Sequence, residues 1–201
     1  MDAWQELAEP WRASLELAWE AYRAGTIPVG SVVVAAHGGI IARGRNRIFD
    51  PPGRGLAGSR LAHAEVDALA QLPAADRYRD HVLYSTLEPC LLCTAATLLT
   101  TVGRIEYAAS DPFGGACSGA IDTAHWRRSA PEIAAPLGGS PGRLSAALQG
   151  AFWLAHRDHS RAGEILEAFG DEARLAGDRV LELDGVAPRL EEALPQLLDC
   201  L

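Results

Sequence analysis

The sequence contains no lysine. All 18 of its basic residues are arginine. The chain also has 26 acidic residues, so its net charge is −8. A chain that binds a polyanion normally carries the opposite charge. The acidity is concentrated in residues 161–201, which hold 10 acidic residues and 4 arginines. The composition therefore argues against a nucleic-acid partner.

Long apolar runs and abundant cysteine are also missing. No stretch approaches the roughly 18 apolar residues that a transmembrane helix needs. The N-terminus, "MDAWQELAEP", lacks the basic region and cleavage pattern of a signal peptide. Four cysteines in 201 residues are too few for a secreted disulfide framework. We therefore predict a cytoplasmic protein with no membrane partner.

The order of predicted elements indicates an α/β fold. A helix begins near Pro10, ends at Gly25 and carries apolar residues at helical spacing. A hairpin follows, in which "VGSVVVAA" and "IIARGRN" are joined by "HGG", and then a Pro/Gly-rich loop at 48–61. Next come a helix in "HAEVDALAQL", a strand in "HVLYSTL", a helix from "PCLLC" and a strand in "GRIEYAA". This alternation predicts a mixed sheet covered by helices.

The last third of the chain has a different pattern. Residues 131–142 are rich in proline and glycine and are predicted to be a connector. Three helices are predicted after it, in 143–159, 163–177 and 187–201. We therefore predict three parts: a domain at 1–130, the connector at 131–142 and a helical extension at 143–201.

Cys90 and Cys93 are the first candidates for chemistry. They stand three residues apart at the start of a predicted helix, so their sulfurs face the same way and the helix N-terminus favours thiolates. The pair alone is compatible with a redox couple, half of a structural zinc site, or two ligands of a catalytic metal. No second Cys/His pair completes a structural site, because Cys117 and Cys200 stand alone. His63 supplies a third ligand, and three ligands that leave a position for water are typical of catalytic zinc.

Glu65 is the candidate group for moving protons beside this metal. It stands two residues after His63, and two such side chains within a helix point about 200° apart. The two side chains therefore converge only if the metal lies over the end of the helix.

H-x-E followed by P-C-x-x-C resembles the zinc-dependent nucleobase and nucleoside deaminases of the cytidine-deaminase-like superfamily. The strings "IPVGSVVV", "GRNRI", "LAHAEVDAL", "LYSTLEPCLLC" and "SDPFGGACSG" are similar to the branch that holds tRNA adenosine deaminases, guanine deaminases and related cytosine deaminases. The resemblance covers roughly residues 10–125. It implies a three-layer α-β-α fold with a mixed five-stranded sheet, here followed by the helical C-terminal extension, a Zn²⁺ cofactor and a homodimer.

The resemblance also assigns the chemistry of the site. It implies that His63, Cys90 and Cys93 bind zinc and that Glu65 transfers protons. Zinc-bound hydroxide would attack the ring carbon that bears the exocyclic amine, and ammonia would leave.

Further residues are implied to bind substrate. Asn46 matches an asparagine that hydrogen-bonds the substrate in similar enzymes, although a turn-forming role also fits it. Backbone amides beside Ala64 and at the strand end 85–87 are expected to line the pocket. Asp111 and Phe113 lie in a loop that borders the active site in relatives, where Phe113 either stacks on a base or fills the core.

The substrate is the least determined part. The acidic tail replaces the basic final helix of tRNA adenosine deaminases, and the segment before His63 is longer and richer in glycine. Both departures favour a small amino-substituted nucleobase or nucleoside. A tRNA wobble-adenosine deaminase and a non-catalytic zinc-stabilised module remain the alternatives, and Glu65 argues against the module. Trp126 and Trp153 are candidates to cap the pocket, whereas solvated, non-ligand roles are expected for the following histidines: His156 and His159.

Overall fold

A mixed five-stranded sheet lies at the centre of the computed structural model, which describes residues 4, 6–117, 121–183 and 189–199. The strands are β1 (Gly30–Val34), β2 (Ile40–Arg45), β3 (Val82–Leu87), β4 (Arg104–Ala109) and β5 (Glu132–Ile133). Their order across the sheet is β2-β1-β3-β4-β5. β1 is antiparallel to β2 and β3, whereas β3, β4 and β5 are parallel. The predicted mixed five-stranded sheet is confirmed.

Helices cover both faces of this sheet, which confirms the three-layer fold. α1 (Glu9–Arg23) and α5 (Gly139–Ala155) pack on one face, and α2 (Ala64–Leu69) and α3 (Leu91–Leu99) pack on the other. The remaining helices are α4 (Ala124–Ser129), α6 (Ala162–Leu183) and α7 (Leu190–Asp199). Of the helices that the structure describes, none is both long and apolar enough to cross a bilayer.

The apolar pattern that predicts α1 corresponds to the buried face of this helix. Its buried face includes Trp11, Leu15 and Trp19, which the 3.6-residue period places on one side. Pro10 lies in the first turn, where its missing N–H removes no hydrogen bond. The helix gives way to Gly25, whose φ of 73° is the left-handed conformation that glycine adopts most readily.

α5 attaches the C-terminal helices to the sheet. Ser145 Oγ donates a hydrogen bond to the Thr86 carbonyl at 2.6 Å, so the helix is bonded directly to β3. β5 and the first residues of α5 both lie inside the segment 131–142 that composition marks as a connector. The proposed division at 130 and 143 stays a prediction, since no boundary in the structure tests it.

α6 packs closely along α5. A Cβ on Gly177 would lie 2.4 Å from the Ala151 backbone nitrogen, and one on Gly150 would lie 2.2 Å from the Ala173 carbonyl oxygen. Only glycines allow the two backbones to approach this closely. α6 is kinked at Gly170, with φ 83° and ψ 176°, which splits the predicted single helix into two arms.

Candidate metal centre and active site

Three side chains converge beyond the carboxyl end of β3. His63 is the N-cap of α2, Cys90 is the N-cap of α3, and Cys93 lies in the first turn of α3. The two sulfurs are 3.5 Å apart, and His63 Nδ1 lies 3.6 Å from Cys90 Sγ and 3.5 Å from Cys93 Sγ. In the part of the chain that the structure describes, this is the group of side chains arranged to hold a metal ion.

These spacings fit zinc. Tetrahedral bond lengths of about 2.3 Å to sulfur and 2.0–2.1 Å to nitrogen place two sulfurs about 3.8 Å apart and sulfur and nitrogen about 3.6 Å apart. The sulfur–nitrogen distances of 3.5 and 3.6 Å match this geometry, and the sulfur–sulfur distance of 3.5 Å is slightly shorter than it. The donor set of one imidazole and two thiols is also one that zinc prefers. His63, Cys90 and Cys93 would therefore hold the ion.

The pKa values of the two thiols also favour the binding of a cation. A hydrogen bond from Cys93 lowers the pKa of Cys90 to about 4, against the opposing effect of burial. The pKa of Cys93 is raised, because it shares the proton with Cys90 and because it is buried. The hydrogen bond to Cys90 also raises the pKa of His63. Two thiols held this close together become a ligand pair when both are deprotonated, and a divalent cation would satisfy both thiolates.

Glu65 lies against this cluster and is 3 % exposed. Its Oε1 accepts a hydrogen bond from Ser85 Oγ at 3.0 Å, and its Oε2 lies 3.3 Å from Cys93 Sγ. Burial raises the pKa of this carboxyl group. His63 has φ −70° and ψ 149°, outside the helical range, so it precedes the helix and both side chains reach Cys93.

The start of α2 is fixed by its contact with β2. A Cβ on Gly44 would lie 2.2 Å from the carbonyl oxygen of Ala64, so the strand and the helix meet backbone to backbone. Ala64 itself is fully buried and is not among the cavity-lining residues that the structure describes. Its side chain packs instead with Val29, Leu87 and Ala109, and the substrate-binding role predicted beside Ala64 stays a prediction.

A cavity of about 590 Å³ opens above the cluster, and Asn46, Asp111 and Phe113 are among the residues that line it. Their binding of a substrate stays a prediction. Asn46 Oδ1 accepts hydrogen bonds from Thr26 Oγ1 at 2.9 Å and from the Ile48 amide at 3.0 Å. These two bonds fix the orientation of the amide and leave its Nδ2 as the free donor group.

Asp111 and Phe113 shape the opposite rim. Asp111 Oδ1 accepts hydrogen bonds from the amides of Phe113 and Gly114, both at 2.9 Å, so this carboxylate organises the loop. The Phe113 ring packs partly into the core and carries the Arg161 guanidinium 4.6 Å from its centroid. The structure thus shows the core-packing role considered for Phe113, whereas stacking on a base stays a prediction.

The loop after β2 forms another rim of the cavity and lacks helices and strands, as predicted for 48–61. Asp50 secures it by accepting hydrogen bonds from Arg45 at 2.8 and 3.1 Å and from Arg47 at 3.1 Å. Burial acts to raise the pKa of Asp50, but the two arginines outweigh it and the net pKa is lowered.

The C-terminal helices supply a wall that sequence reasoning largely missed. Trp153 lines the cavity, as considered, whereas Trp126 lies on α4 and is not among the described lining residues. The further lining residues from this part of the chain are Gln149, His159, Arg161, Ile165 and Phe169. An amide inside the apolar run "LSAALQGAFWLA" was the available signal for Gln149.

The two histidines of this region lie outside the His63–Cys90–Cys93 cluster. His159 is exposed at the cavity rim. His156, expected to be solvated, is half-buried instead, because its ring stacks on Phe152 with centroids 4.1 Å apart. Its Nδ1 also lies 2.7 Å from the Phe152 carbonyl oxygen.

Known proteins have sequences similar to part of this chain. A tRNA-specific adenosine deaminase of Bacillus subtilis is 34% identical over 113 residues, which are 55% of this chain and 65% of that protein. A tRNA(Ile)-lysidine synthase of Deinococcus radiodurans is 37% identical over 118 residues, 56% of this chain and 19% of that protein. The chain thus spans less than two thirds of the length of these curated relatives.

Solved structures agree with the fold. A chain from a study of A-to-I editing by tRNA:A34 deaminases has a TM-score of 0.51 and 29% identity, covering 65% of this chain and 96% of that one. The guanine deaminase of Nitrosomonas europaea has a TM-score of 0.51 at 21% identity, covering 73% of this chain and 85% of that one. At that identity it supports the fold alone.

A family profile, described as the cytidine and deoxycytidylate deaminase zinc-binding region, matches residues 5–109. This match takes in slightly more than half of the 201 residues and includes the whole His-Cys-Cys cluster. The chain therefore belongs to the cytidine and deoxycytidylate deaminase zinc-binding family.

Proposed function

We propose that the protein catalyses hydrolytic deamination of a small amino-substituted nucleobase or nucleoside, with release of ammonia. The observation that carries the proposal is the buried carboxyl group of Glu65 beside the His63–Cys90–Cys93 cluster, at the base of an open cavity. A structural zinc site has no use for a carboxyl group in this position, whereas hydrolysis requires a proton carrier there.

The chemistry that zinc supplies when bound is the activation of water as a nucleophile near neutral pH. Glu65 Oε2 accepts a proton from the attacking water, while Ser85 Oγ holds Oε1 in place. A C–O bond forms at the amine-bearing ring carbon, and Glu65 passes the proton to the exocyclic nitrogen. The C–N bond then breaks and its electron pair leaves on ammonia, while the proton of the new hydroxyl group moves to the ring nitrogen, so that a carbonyl group remains.

The shape of the cavity supports a small substrate. Trp153, Ile165 and Phe169 close one side of it with apolar and aromatic surface, as in sites that bind small molecules. Ile165 and Phe169 come from residues 161–201, where acidic residues outnumber arginines by 10 to 4, and this excess supports a substrate without a phosphate backbone. Arg60 and Arg161 also line the cavity, so the charge at the site itself is mixed.

Wobble-adenosine deamination in tRNA is the second candidate. Identities of 34% and 38% to tRNA-specific adenosine deaminases of Bacillus subtilis and Agrobacterium fabrum favour it. A zinc-stabilised module without activity is the third, and it would bind zinc yet release no ammonia from any substrate.

An ammonia-release screen separates these candidates. Zinc-loaded protein is incubated with cytosine, adenine, guanine, their nucleosides and a tRNA anticodon stem-loop that contains adenosine. The proposal expects release from a base or nucleoside and none from the stem-loop. Inosine in the stem-loop, with every free compound inert, would establish the second candidate instead.

We also propose a homodimer formed through α3. This helix exposes Leu91 (59 %), Leu92 (37 %) and Leu99 (70 %), an apolar surface of the kind that subunit interfaces bury. Light scattering should show a dimer for the parent protein and a monomer for Leu99→Glu. Leu175→Glu is the matched control, since Leu175 is 58 % exposed on α6.

A cytoplasmic location belongs to the same proposal, because the two thiols bind zinc only while reduced.

A further inference from the structure

Gln149 is a buried amide at the cavity that the mechanism above does not use. It is 2 % exposed, lines the cavity, and donates a hydrogen bond from Nε2 to the Pro28 carbonyl oxygen at 3.1 Å. A carbonyl oxygen only accepts, so this bond determines which end of the amide is nitrogen. Among the residues that the structure describes, none donates a hydrogen bond to Oε1. Gln149 therefore has an acceptor to offer to a ligand.

Asn46 also lines the cavity, and it offers a hydrogen-bond donor where Gln149 offers an acceptor. Its backbone amide donates to the Val29 carbonyl oxygen at 2.9 Å, so Asn46 and Gln149 are bonded to successive residues of the segment before β1. Its Oδ1 already accepts two hydrogen bonds, which leaves Nδ2 as a donor. Asn46 and Gln149 thus present one donor and one acceptor to the cavity, and each side chain is fixed by its own hydrogen bonds.

We propose that Gln149 Oε1 accepts a hydrogen bond from a substrate N–H other than the amine that leaves, and so selects substrates that carry such a group. The inference rests on the proposed function and narrows its substrate class. Free cytosine, adenine and guanine each have a ring N–H. In cytidine and adenosine the sugar replaces it, and the remaining N–H groups are those of the leaving amine. Guanosine also loses one ring N–H to the sugar, but it keeps the other N–H of its ring system.

The expected substrates are therefore free nucleobases or a guanine nucleoside, and cytidine and adenosine are excluded whether free or in RNA. The exclusion follows because a substrate without the N–H leaves a buried acceptor unpaired. Sites that hydrogen-bond a substrate group reject analogues that lack it far more strongly than apolar pockets reject a missing methylene. We expect at least a tenfold difference in affinity.

Binding can be measured without turnover. The zinc-loaded Glu65→Gln protein is titrated calorimetrically with cytosine, adenine, guanosine, cytidine and adenosine. At least one of the first three should bind at least tenfold more tightly than both of the last two. Adding Gln149→Met, an unbranched apolar replacement of similar length, should remove this preference while zinc content stays at one per chain.

Ser145→Ala is the matched control, because it removes the other hydrogen bond between α5 and the core without lining the cavity. It should leave the preference intact. Equal loss in Ser145→Ala and Gln149→Met would overturn the inference, since it would indicate a structural role for Gln149. Binding of cytidine or adenosine as tight as that of the bases, or no binding at all, would overturn it without needing a Gln149 variant. Ammonia release from cytidine by the wild-type protein would then keep the proposed function while the inference fails.

Discussion

The close packing of α5 and α6 gives the account a quantitative test in Gly177→Ala. The alanine Cβ would lie 2.4 Å from the Ala151 nitrogen and 2.6 Å from the Gly150 carbonyl carbon, both of them backbone atoms of the facing helix. Neither neighbour can rotate away, so the two helices must separate. Overpacking of this kind costs roughly 1–3 kcal/mol.

The helix propensity of alanine acts in the other direction. Replacing glycine inside a helix gains about 0.5–1 kcal/mol when nothing clashes. Gly163→Ala measures this gain alone, because Gly163 lies on the same helix and a Cβ there would meet no atom within 4 Å. We expect Gly163→Ala to raise the free energy of unfolding and Gly177→Ala to lower it by about 1–2 kcal/mol.

Urea unfolding followed by the fluorescence of the five tryptophans measures both variants. Gly177→Ala should also weaken ligand binding, since Ile165 and Phe169 reach the cavity from α6. Equal stabilisation by the two substitutions would refute the reasoning, because it would mean that the helices do not meet at Gly177.

Three further predictions concern single side chains. Ser85→Ala should lower ammonia release about tenfold or more with zinc content unchanged, because a hydrogen bond to a charged group contributes about 1.5–3 kcal/mol; steady-state rates and metal analysis check it. Cys90→Ser should lose zinc, whereas Cys117→Ser should keep one zinc per chain, since Cys117 is buried outside the cluster; equal zinc content in the two variants would contradict the ligand assignment. Asp50 has a lowered pKa, so its ionised form stabilises the fold above its ordinary value of 3.8, and this stabilisation is lost as pH falls through the lower folded-state pKa. The difference in unfolding free energy between wild type and Asp50→Asn should be constant above about pH 5 and shrink below pH 4; a difference that grows with acid would reverse the sign.

The metal ligands were predictable because they lie in short segments with local rules. Cys90 and Cys93 open one helix three residues apart, so their spacing places both sulfurs on one side, and His63 was joined to them by the H-x-E and P-C-x-x-C resemblance. The sheet was predictable for a related reason, since strands β1 to β4 have strong apolar patterns. β5 has two residues, and its pairing with β4 depends on backbone geometry that composition does not reveal.

The wall of the cavity could not be predicted from the sequence, because it depends on contacts between residues that lie far apart in the chain. Gln149 reaches the segment before β1 across more than 100 residues of chain, and no local pattern specifies that pairing. The approach of α6 depends on glycines at two separate positions, which read individually as helix-weakening residues. The proposed selection by Gln149 lies in this wall, which explains why the reaction class was easier to predict than the substrate.

The most direct test of the central claim compares zinc-loaded wild-type protein with Glu65→Gln in the ammonia-release assay. The account predicts that both proteins carry one zinc per chain and that only the wild type releases ammonia, because the amide cannot carry the proton from water to the leaving nitrogen. Undiminished ammonia release by zinc-loaded Glu65→Gln would contradict the role of Glu65 and with it the proposed mechanism.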